Sequence, residues 1–403
     1  MRIGMVLTKR FPPDIRVEKE ASVLKREHQL FMLCPRRGNQ KAEEMCNGIH
    51  VQRVFSKPGR WWANARLMAN CSSVAWKRAL HAYAVEHKID VLHVHDLPLL
   101  GDALEVARKL DLPVVADLHE NYPEMMAQAL HDTRYGRMSA AQLVQRLTVS
   151  IDKWRRYERR AVPRADAVIV VIEEARERLI RLGVAPERIH IVANYTPLED
   201  PAVKIDKKHA CAADEKFKVV YAGGFVATRE LHTVIDAVAL LSPAETPGLQ
   251  VVLIGGHEAA IKALQRYIDK KRVQDRVVLV DWRPLEEVME HIQSCQVGLA
   301  PLVKSPHNDA SINHKLFQYM ICRRPVIASN CIPMERIVKE TGCGLVYPSG
   351  DAAALAMCLK RLYVDPEMRD RMGNAGYKAV QDKYNWESTG QTLLQLYRQL
   401  ASV

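Results

Sequence analysis

Ser311-Ile312-Asn313-His314-Lys315-Leu316-Phe317-Gln318-Tyr319-Met320, followed by Arg323-Arg324-Pro325-Val326-Ile327-Ala328, carries the reading of this chain. A polar loop containing Asn308, Asp309, Ser311 and Asn313 runs into a short amphipathic helix. That helix stops at a proline-led apolar strand. Loop, helix and buried strand in this order form one repeat of an α/β fold. A helix start offers free N–H groups and a positive dipole end to a diphosphate. Lys315 adds a compact cation suited to phosphate.

The same alternation extends in both directions. In the first half the predicted strands are Arg2–Leu7, Gln29–Cys34, Gly48–Val54, Val91–His95, Val114–Leu118, Ala167–Val171 and Ile189–Val192. Helical patterns such as Arg16–Glu27 and Leu100–Leu110 lie between them. The second half predicts strands at Lys218–Tyr221, Gln250–Ile254, Val277–Val280, Val297–Ala300, Val326–Ala328 and Gly344–Val346. Repeated βαβ units imply parallel sheets with helices on both faces, and ligands then bind beyond the strands' carboxyl ends. The polar stretch Thr196–Asp214, with Pro197 and Pro201, reads as an interdomain linker. The leucine-rich segment Tyr384–Leu400 reads as a terminal amphipathic helix.

Bulk properties narrow the class. The chain has 403 residues, 48% hydrophobic and 26% charged, as in ordinary folded proteins of two or three domains. Its nine cysteines are scattered, with no C-x-x-C pair, which argues for reduced thiols in the cytoplasm and against a disulfide framework or zinc site. No window approaches the roughly 18 apolar residues of a membrane span, and the apolar run at the start is too short for a signal peptide.

The formal charge of +11 is unevenly placed. Residues 45–85 contain no Asp or Glu but hold Arg53, Lys57, Arg60, Arg66, Lys77 and Arg78 beside Trp61, Trp62 and Trp76. A second basic run comprises Arg146, Lys153, Arg155, Arg156, Arg159 and Arg160, with Trp154. Basic residues interleaved with Trp suit peripheral contact with an anionic membrane through 53–80 and 146–160. The competing reading is a solvated helix face with Trp packed inward. No RNP, KH or zinc-finger pattern supports a nucleic-acid partner.

The motif Asn313-x-Lys315-Leu316-Phe317-x-Tyr319-Met320, then Pro325-Val326-Ile327-Ala328-Ser329, resembles the donor-site signature of family 4 glycosyltransferases. Phe11-Pro12-Pro13-Asp14-Ile15-Arg16-Val17-Glu18 resembles the first loop of one branch of that family. Asp90–Asp96, Asp117-Leu118-His119-Glu120, Ala165–Val171 and Val192-Ala193-Asn194 resemble further strand ends of its first domain, and Tyr221-Ala222-Gly223-Gly224 the opening of its second.

The resemblance implies a GT-B fold, two doubly wound Rossmann-like domains facing across a cleft. Residues 1–197 would form an acceptor-binding domain and 198–383 a nucleotide-sugar-binding domain. Residues 384–403 would be a helix crossing back to the first, with Trp386 as anchor. It also implies a retaining, metal-independent transfer from a nucleotide-diphosphate sugar, UDP- or GDP-linked, with no other cofactor. The acceptor would be a glycan or a polyprenyl- or lipid-linked molecule, in bacterial surface polysaccharide synthesis at the inner face of the cytoplasmic membrane.

Candidate residues follow from chemistry and resemblance together. The departing diphosphate must be neutralised, and without a D-x-D pair that task falls to cationic side chains and helix ends. Arg229, Lys315, Gly223, Gly224 and the segment Ser311, Ile312, Asn313, His314 are the donor-site candidates. In the family the glycine loop usually carries an Arg beside the Gly and a Lys five residues on. Here Gly224 stands at the first position and Arg229 at the second. The family often has two Glu residues separated by seven others. Here Ala310 and Gln318 occupy those positions, leaving Gln318 to meet the ribose as a neutral hydrogen-bonding group. His119 and Glu120 are the first domain's catalytic candidates, with His119 facing the donor sugar by resemblance. His95 and Asp96 are assigned to the cleft wall, and Asp14 and Arg16 to acceptor or phosphate contact. His93-x-His95 lacks a third metal ligand at helical spacing, so no metal site is expected. A nucleotide-sugar 2-epimerase of the same architecture and a non-catalytic GT-B partner are the alternative functions.

Overall fold

The computed structural model describes residues 1–55, 59–131, 149–198 and 216–401; the side chains of 60–62 and 131 also fall outside the description. Most of the linker stretch, Cys211, Lys57, Arg146 and the side chains of Arg60, Trp61 and Trp62 therefore lie outside the described residues. The chain divides into two compact units. The described residues of the first are 1–55, 59–130, 149–194 and 389–401; those of the second include 195–198 and 216–388.

The first unit holds an eight-stranded sheet. Its strands are β1 (Arg2–Val6), β2 (Gln29–Pro35), β3 (Glu43–Cys46), β4 (Ile49–Val54), β5 (Val91–His95), β6 (Val114–Leu118), β7 (Ala167–Val170) and β8 (Ile189–Ile191). The order is β3-β4-β2-β1-β5-β6-β7-β8, and every pair is parallel except β3–β4. β3 was not anticipated: Glu43-Glu44-Met45-Cys46 is too charged for a core strand, and it pairs antiparallel at the edge, where charge is tolerated. β1 is buried from Ile3 onward because the sheet is covered on both faces. β5 and β6 are buried throughout, yet they carry His93, His95 and Asp117. Polar groups in two central strands need partners inside the fold.

The second unit has a six-stranded, wholly parallel sheet. Its strands are β9 (Phe217–Ala222), β10 (Leu249–Gly256), β11 (Val277–Asp281), β12 (Val297–Ala300), β13 (Val326–Ser329) and β14 (Gly344–Tyr347), in the order β11-β10-β9-β12-β13-β14. Its core packs Val219, Tyr221, Leu253, Leu299 and Ile327 against Leu231, Ile235, Leu264 and Leu359 from the crossover helices. Both sheets reverse their winding beside their first strand, between β1 and β5 and between β9 and β12. Such switch points leave a crevice at the strands' carboxyl ends.

The terminal helix Trp386–Ala401 begins with a buried Trp386, and its residues from Thr389 belong to the first unit. Among the described residues no helix is long and apolar enough to cross a membrane, and the eight described cysteines are free thiols.

Two expectations about tryptophan are corrected. Trp76 and Trp154 are fully buried, Trp76 donating to Asn64 Oδ1 (3.3 Å) and Trp154 to Met68 O (3.1 Å). Arg53 is buried as well; it donates to Phe11 O and Lys41 O and pairs with Glu44 (2.6 Å). These side chains serve the interior because an indole N–H or a guanidinium has internal acceptors there.

Candidate active site

The second unit's site grows from the loop after β9. Gly223 N donates to Ile254 O (2.7 Å), which holds the loop against β10. Gly255 sits at φ +114°, where a Cβ would lie 2.7 Å from Gly223 O, so only glycine permits this approach. The short helix Lys315–Ile321 is fixed through Tyr319. The Tyr319 hydroxyl donates to Leu299 O (3.1 Å) and accepts from Ala222 N (3.2 Å). Its ring covers Gly298, where a Cβ would be 2.3 Å away. This anchorage places Lys315 over Gly223: a Cβ there would meet Lys315 Cε at 2.5 Å and Nζ at 2.7 Å.

Lys315 makes no ion pair with any described residue, and neither does Arg229. Burial and the neighbouring charge of Arg229 push Lys315 down to about 7. Two adjacent cations without a carboxylate between them favour an anion. Glu230, next to Arg229, is not that counter-charge: it is buried and accepts from Tyr347 Oη (3.1 Å) and Ser349 Oγ.

The helix start does less than anticipated. Lys315 N donates to Asn313 Oδ1 (3.2 Å), Leu316 N to Asn313 O (3.1 Å), and Phe317 N and Gln318 N to His314 O (3.1 and 3.3 Å). Its first-turn amides are thus already taken, and the positive charge here comes from the Lys315 and Arg229 side chains. Asn313 is buried as their cap, Ser311 and Ile312 are half-buried, and His314 is exposed. The Gln318 side chain is buried and forms no hydrogen bond to a described residue. Ala310 is buried in a 3₁₀ turn, and Asp309 beside it caps the next helix by accepting from Ile332 N (2.9 Å). Gly224 is exposed with nothing within 4 Å of its Cβ position, so the family's arginine position is open space.

The first unit's site lies where β5 and β6 end. His95 and Asp117 are register partners, and His93 lies two residues earlier on the same strand face. Asp117 is fully buried. Its Oδ1 accepts from Arg16 Nη2 (2.8 Å), and its Oδ2 lies 2.8 Å from His119 Nε2, 3.0 Å from His95 Nδ1 and 3.4 Å from His93 Nε2. Burial would lift this carboxyl, but Arg16 and His119 outweigh it and hold Asp117 well below the usual carboxylate range. Burial works against charge on His119 too, yet Asp117 and then Asp96 raise it to about 9. His95, buried beside His93, falls to about 3 and is neutral. Burial lifts Glu20 to about 8 although Arg16 lies 2.9 Å from it.

This geometry corrects three assignments. Arg16 is buried, donating to Val192 O (3.0 Å) and Asp117, so it has no free face for a phosphate. Asp14 is the N-cap of the helix Ile15–Leu24, accepting from Val17 N (3.3 Å), while its own N–H donates to Glu18 Oε1 (2.9 Å). His95 is buried behind His119 and is not a cleft wall. Asp96 does reach the surface side, with φ +62° and its carboxylate 3.7 Å from His119 Nδ1; Glu120 is half-buried after it in sequence. Glu20 and Tyr397 were missed. Glu20 stands four residues from Arg16 on one helix face, a spacing that suggests pairing; Tyr397 is distant in sequence and carries no local signal.

Glu20, His95, Asp117 and His119 bring metal-ligand atoms within 4.8 Å of one another. The guanidinium of Arg16 already engages both carboxylates and supplies the positive charge a cation would bring. The cluster is read as a hydrogen-bonded charge network.

Comparison with known proteins agrees with this architecture. Residues 20–200 match the family profile described as Glycosyltransferase Family 4, and residues 203–379 match Glycosyl transferases group 1. The alpha-D-kanosaminyltransferase of Streptomyces kanamyceticus is 26% identical over 293 residues, covering 69% of this chain and 74% of that protein. Sucrose-phosphate synthase from Thermosynechococcus elongatus superposes with a TM-score of 0.75 at 19% identity, over 100% of this chain and 99% of that one. Anabaena HepE in complex with UDP-glucose gives a TM-score of 0.69 at 15% identity, over the whole of both chains. Two α/β units, each a doubly wound and mainly parallel sheet, are the GT-B architecture of glycosyltransferases. The chain is such a transferase and belongs to family 4.

Proposed function

We propose that this enzyme moves a sugar from a nucleoside-diphosphate donor, UDP- or GDP-linked, to a glycan or lipid-linked acceptor, with retention and without a metal ion. The observation that carries this reading is Lys315 over Gly223 with the charge of Arg229 near it, neither cation having a carboxylate partner among the described residues. A departing diphosphate supplies the missing charge, and fixed cations stabilise it most when the bond to the sugar breaks. Among the described residues no candidate carboxylate nucleophile stands beside them, which supports front-face attack in which the leaving phosphate accepts the acceptor's proton. His119, cationic at neutral pH, donates a hydrogen bond to the reacting sugar, and Gln318 meets the nucleoside's ribose. The motifs' resemblance supports a place in surface-polysaccharide synthesis, and exposed Arg156, Arg159 and Arg160 on the helix Ile151–Ala161 suit an anionic membrane surface.

The test is thermal stabilisation by a metal-free panel of nucleotides and nucleotide sugars, since a ligand of the folded state raises apparent stability by mass action. A shift confined to one diphosphate series, abolished in Lys315→Ala, is the expected result; no shift across the panel sinks the reading. Product analysis without acceptor separates transfer from epimerisation. Sedimentation with anionic vesicles, lost on changing the three arginines to glutamine, tests the membrane surface.

A further inference from the structure

We infer that Asp117 is the positioning residue of the first unit's site: it is fixed by Arg16 on one oxygen and by a Tyr397–His93 relay on the other, and it holds His119 with Nε2 inward and Nδ1 left to donate to substrate. The inference rests on the proposed role of His119 toward the sugar.

The geometry argues for it in steps. Asp117 lies in β6 and His119 directly follows its last residue, and their side chains meet at 2.8 Å. The Asp117 carboxylate is wholly buried, where a charge persists only with donors on both oxygens. Arg16 supplies Oδ1, and it is itself locked by Val192 O and by Glu20. Oδ2 faces three imidazoles. Tyr397, on the terminal helix, lies 2.6 Å from His93 Nδ1. With the phenol donating, His93 Nδ1 is the acceptor, and its Nε2–H turns to Asp117 Oδ2. His95 presents Nδ1 to the same oxygen. Asp117 is therefore an acceptor toward every neighbour, and His119 can meet it only through an N–H at Nε2.

That contact fixes the ring. The other nitrogen of His119, Nδ1, is 3.7 Å from Asp96 Oδ1, too far for a direct hydrogen bond, and the residue is partly exposed. Lys9 lies 3.7 Å from Asp96 at this edge, and Glu120 follows His119 in the chain. The arrangement is a carboxylate–imidazolium pair in which the carboxylate orients the ring and sustains its positive charge, so that both ring nitrogens keep a proton and Nδ1 is a donor. Here the ring offers a donor and does not remove a proton.

The experiment is a pH titration of the His119 ring by ¹⁵N NMR in the full chain, for the wild type and for Asp117→Asn. The expected wild-type result is a cationic ring titrating near 9, with Nε2 hydrogen-bonded. In Asp117→Asn the titration falls by about 2 pH units, since an adjacent opposite charge is worth one to three. In parallel kcat drops about 10²-fold or more while KM for the nucleotide sugar moves less than about threefold, the signature of an interaction made in the transition state. A wild-type ring titrating at the ordinary histidine value overturns the inference without need of any variant. So does an unmoved titration in a folded Asp117→Asn. Tyr397→Phe provides a second, charge-neutral variant: the His93 ring should lose its single tautomer, and an unchanged His93 spectrum would remove the relay. Full activity in His119→Ala with these titrations intact would instead refute the functional role of His119 and leave the positioning network standing.

Discussion

Lys315 lies across Gly223 so closely that a Cβ on the glycine would sit 2.7 Å from the lysine's ammonium nitrogen. The lysine's place over the loop therefore depends on the absence of a side chain. In Gly223→Ala the ammonium must shift, and donor turnover should fall about 10- to 100-fold, because an ångström of misplacement in a charge clamp costs that much. Gly224→Ala is the control, since nothing lies within 4 Å of its Cβ position. Steady-state kinetics on both variants checks this; equal losses, or none, would deny the contact a role.

Lys315 should also set a pH limit. Burial and Arg229 bring it down to about 7, so the free enzyme loses this charge as pH rises through neutrality. The kcat/KM for the nucleotide sugar should decline above about 7, because that ratio reports groups of the free enzyme. Lys315→Arg should abolish this limb, since a guanidinium stays charged. A pH–rate profile flat through neutrality in the wild type would be incompatible with Lys315 binding the diphosphate.

Much of this was legible before any coordinates. β5, β6 and β12 lie where their mainly apolar runs predicted, because central parallel strands are buried on both faces and read as near-continuous hydrophobic stretches, broken here only by His93, His95 and Asp117. Lys315 and Arg229 were legible from the resemblance of the glycine loop and the Asn313–Met320 motif to the family's donor site, together with the demand of a diphosphate for cations, and the fold brings them close to each other. What failed was orientation. Sequence spacing does not say whether Arg16 faces solvent or interior, and a charge pair four residues away, Glu20, weighs little until Asp117 joins it from another strand. The Tyr397–His93 contact spans 304 positions, so only tertiary packing creates it. Trp76 sits in a basic stretch, but its indole found Asn64 and a buried pocket.

The reassignment of Arg16 makes a stability prediction. Arg16→Ala strips a buried cation from the buried Asp117 carboxylate and from the Glu20 carboxyl group beside it. Breaking a buried pair from one side costs about 3–5 kcal/mol, because the remaining charge stays desolvated. Urea unfolding should show a loss of that size. An unchanged midpoint with a raised KM for acceptor would restore the surface role.

Trp76→Ala should act in the same register. The side chain is fully buried and meets Phe55 edge-on at 4.9 Å between ring centroids. Its truncation should destabilise by about 3–5 kcal/mol through the cavity it leaves. Vesicle sedimentation should be unaffected at temperatures where the variant is folded. Weaker vesicle binding with undiminished stability would return Trp76 to the membrane reading.

The two units should respond to pH with opposite sign. His119 is raised from its ordinary 6.5 to about 9, so its contribution is fully present below 6.5 and is lost as pH climbs through 9. Glu20, raised to about 8, adds to this trend: the folded state keeps a proton that the unfolded chain releases above about 4.5, so stability falls between those values. Lys315 works the other way. Its folded value of about 7 lies below the unfolded 10.5, so the unfolded chain binds the extra proton between them and stability rises with pH. Hydrogen exchange resolved by unit, corrected for the intrinsic pH dependence of exchange, reads both signs in one experiment. From pH 6.5 to 9 the amides of β5 and β6 should lose protection relative to those of β9 and β12. Lys315→Met should remove the second unit's gain, and Asp117→Asn should flatten the first unit's loss. The same slope in both units would show that these buried groups do not govern their local stability.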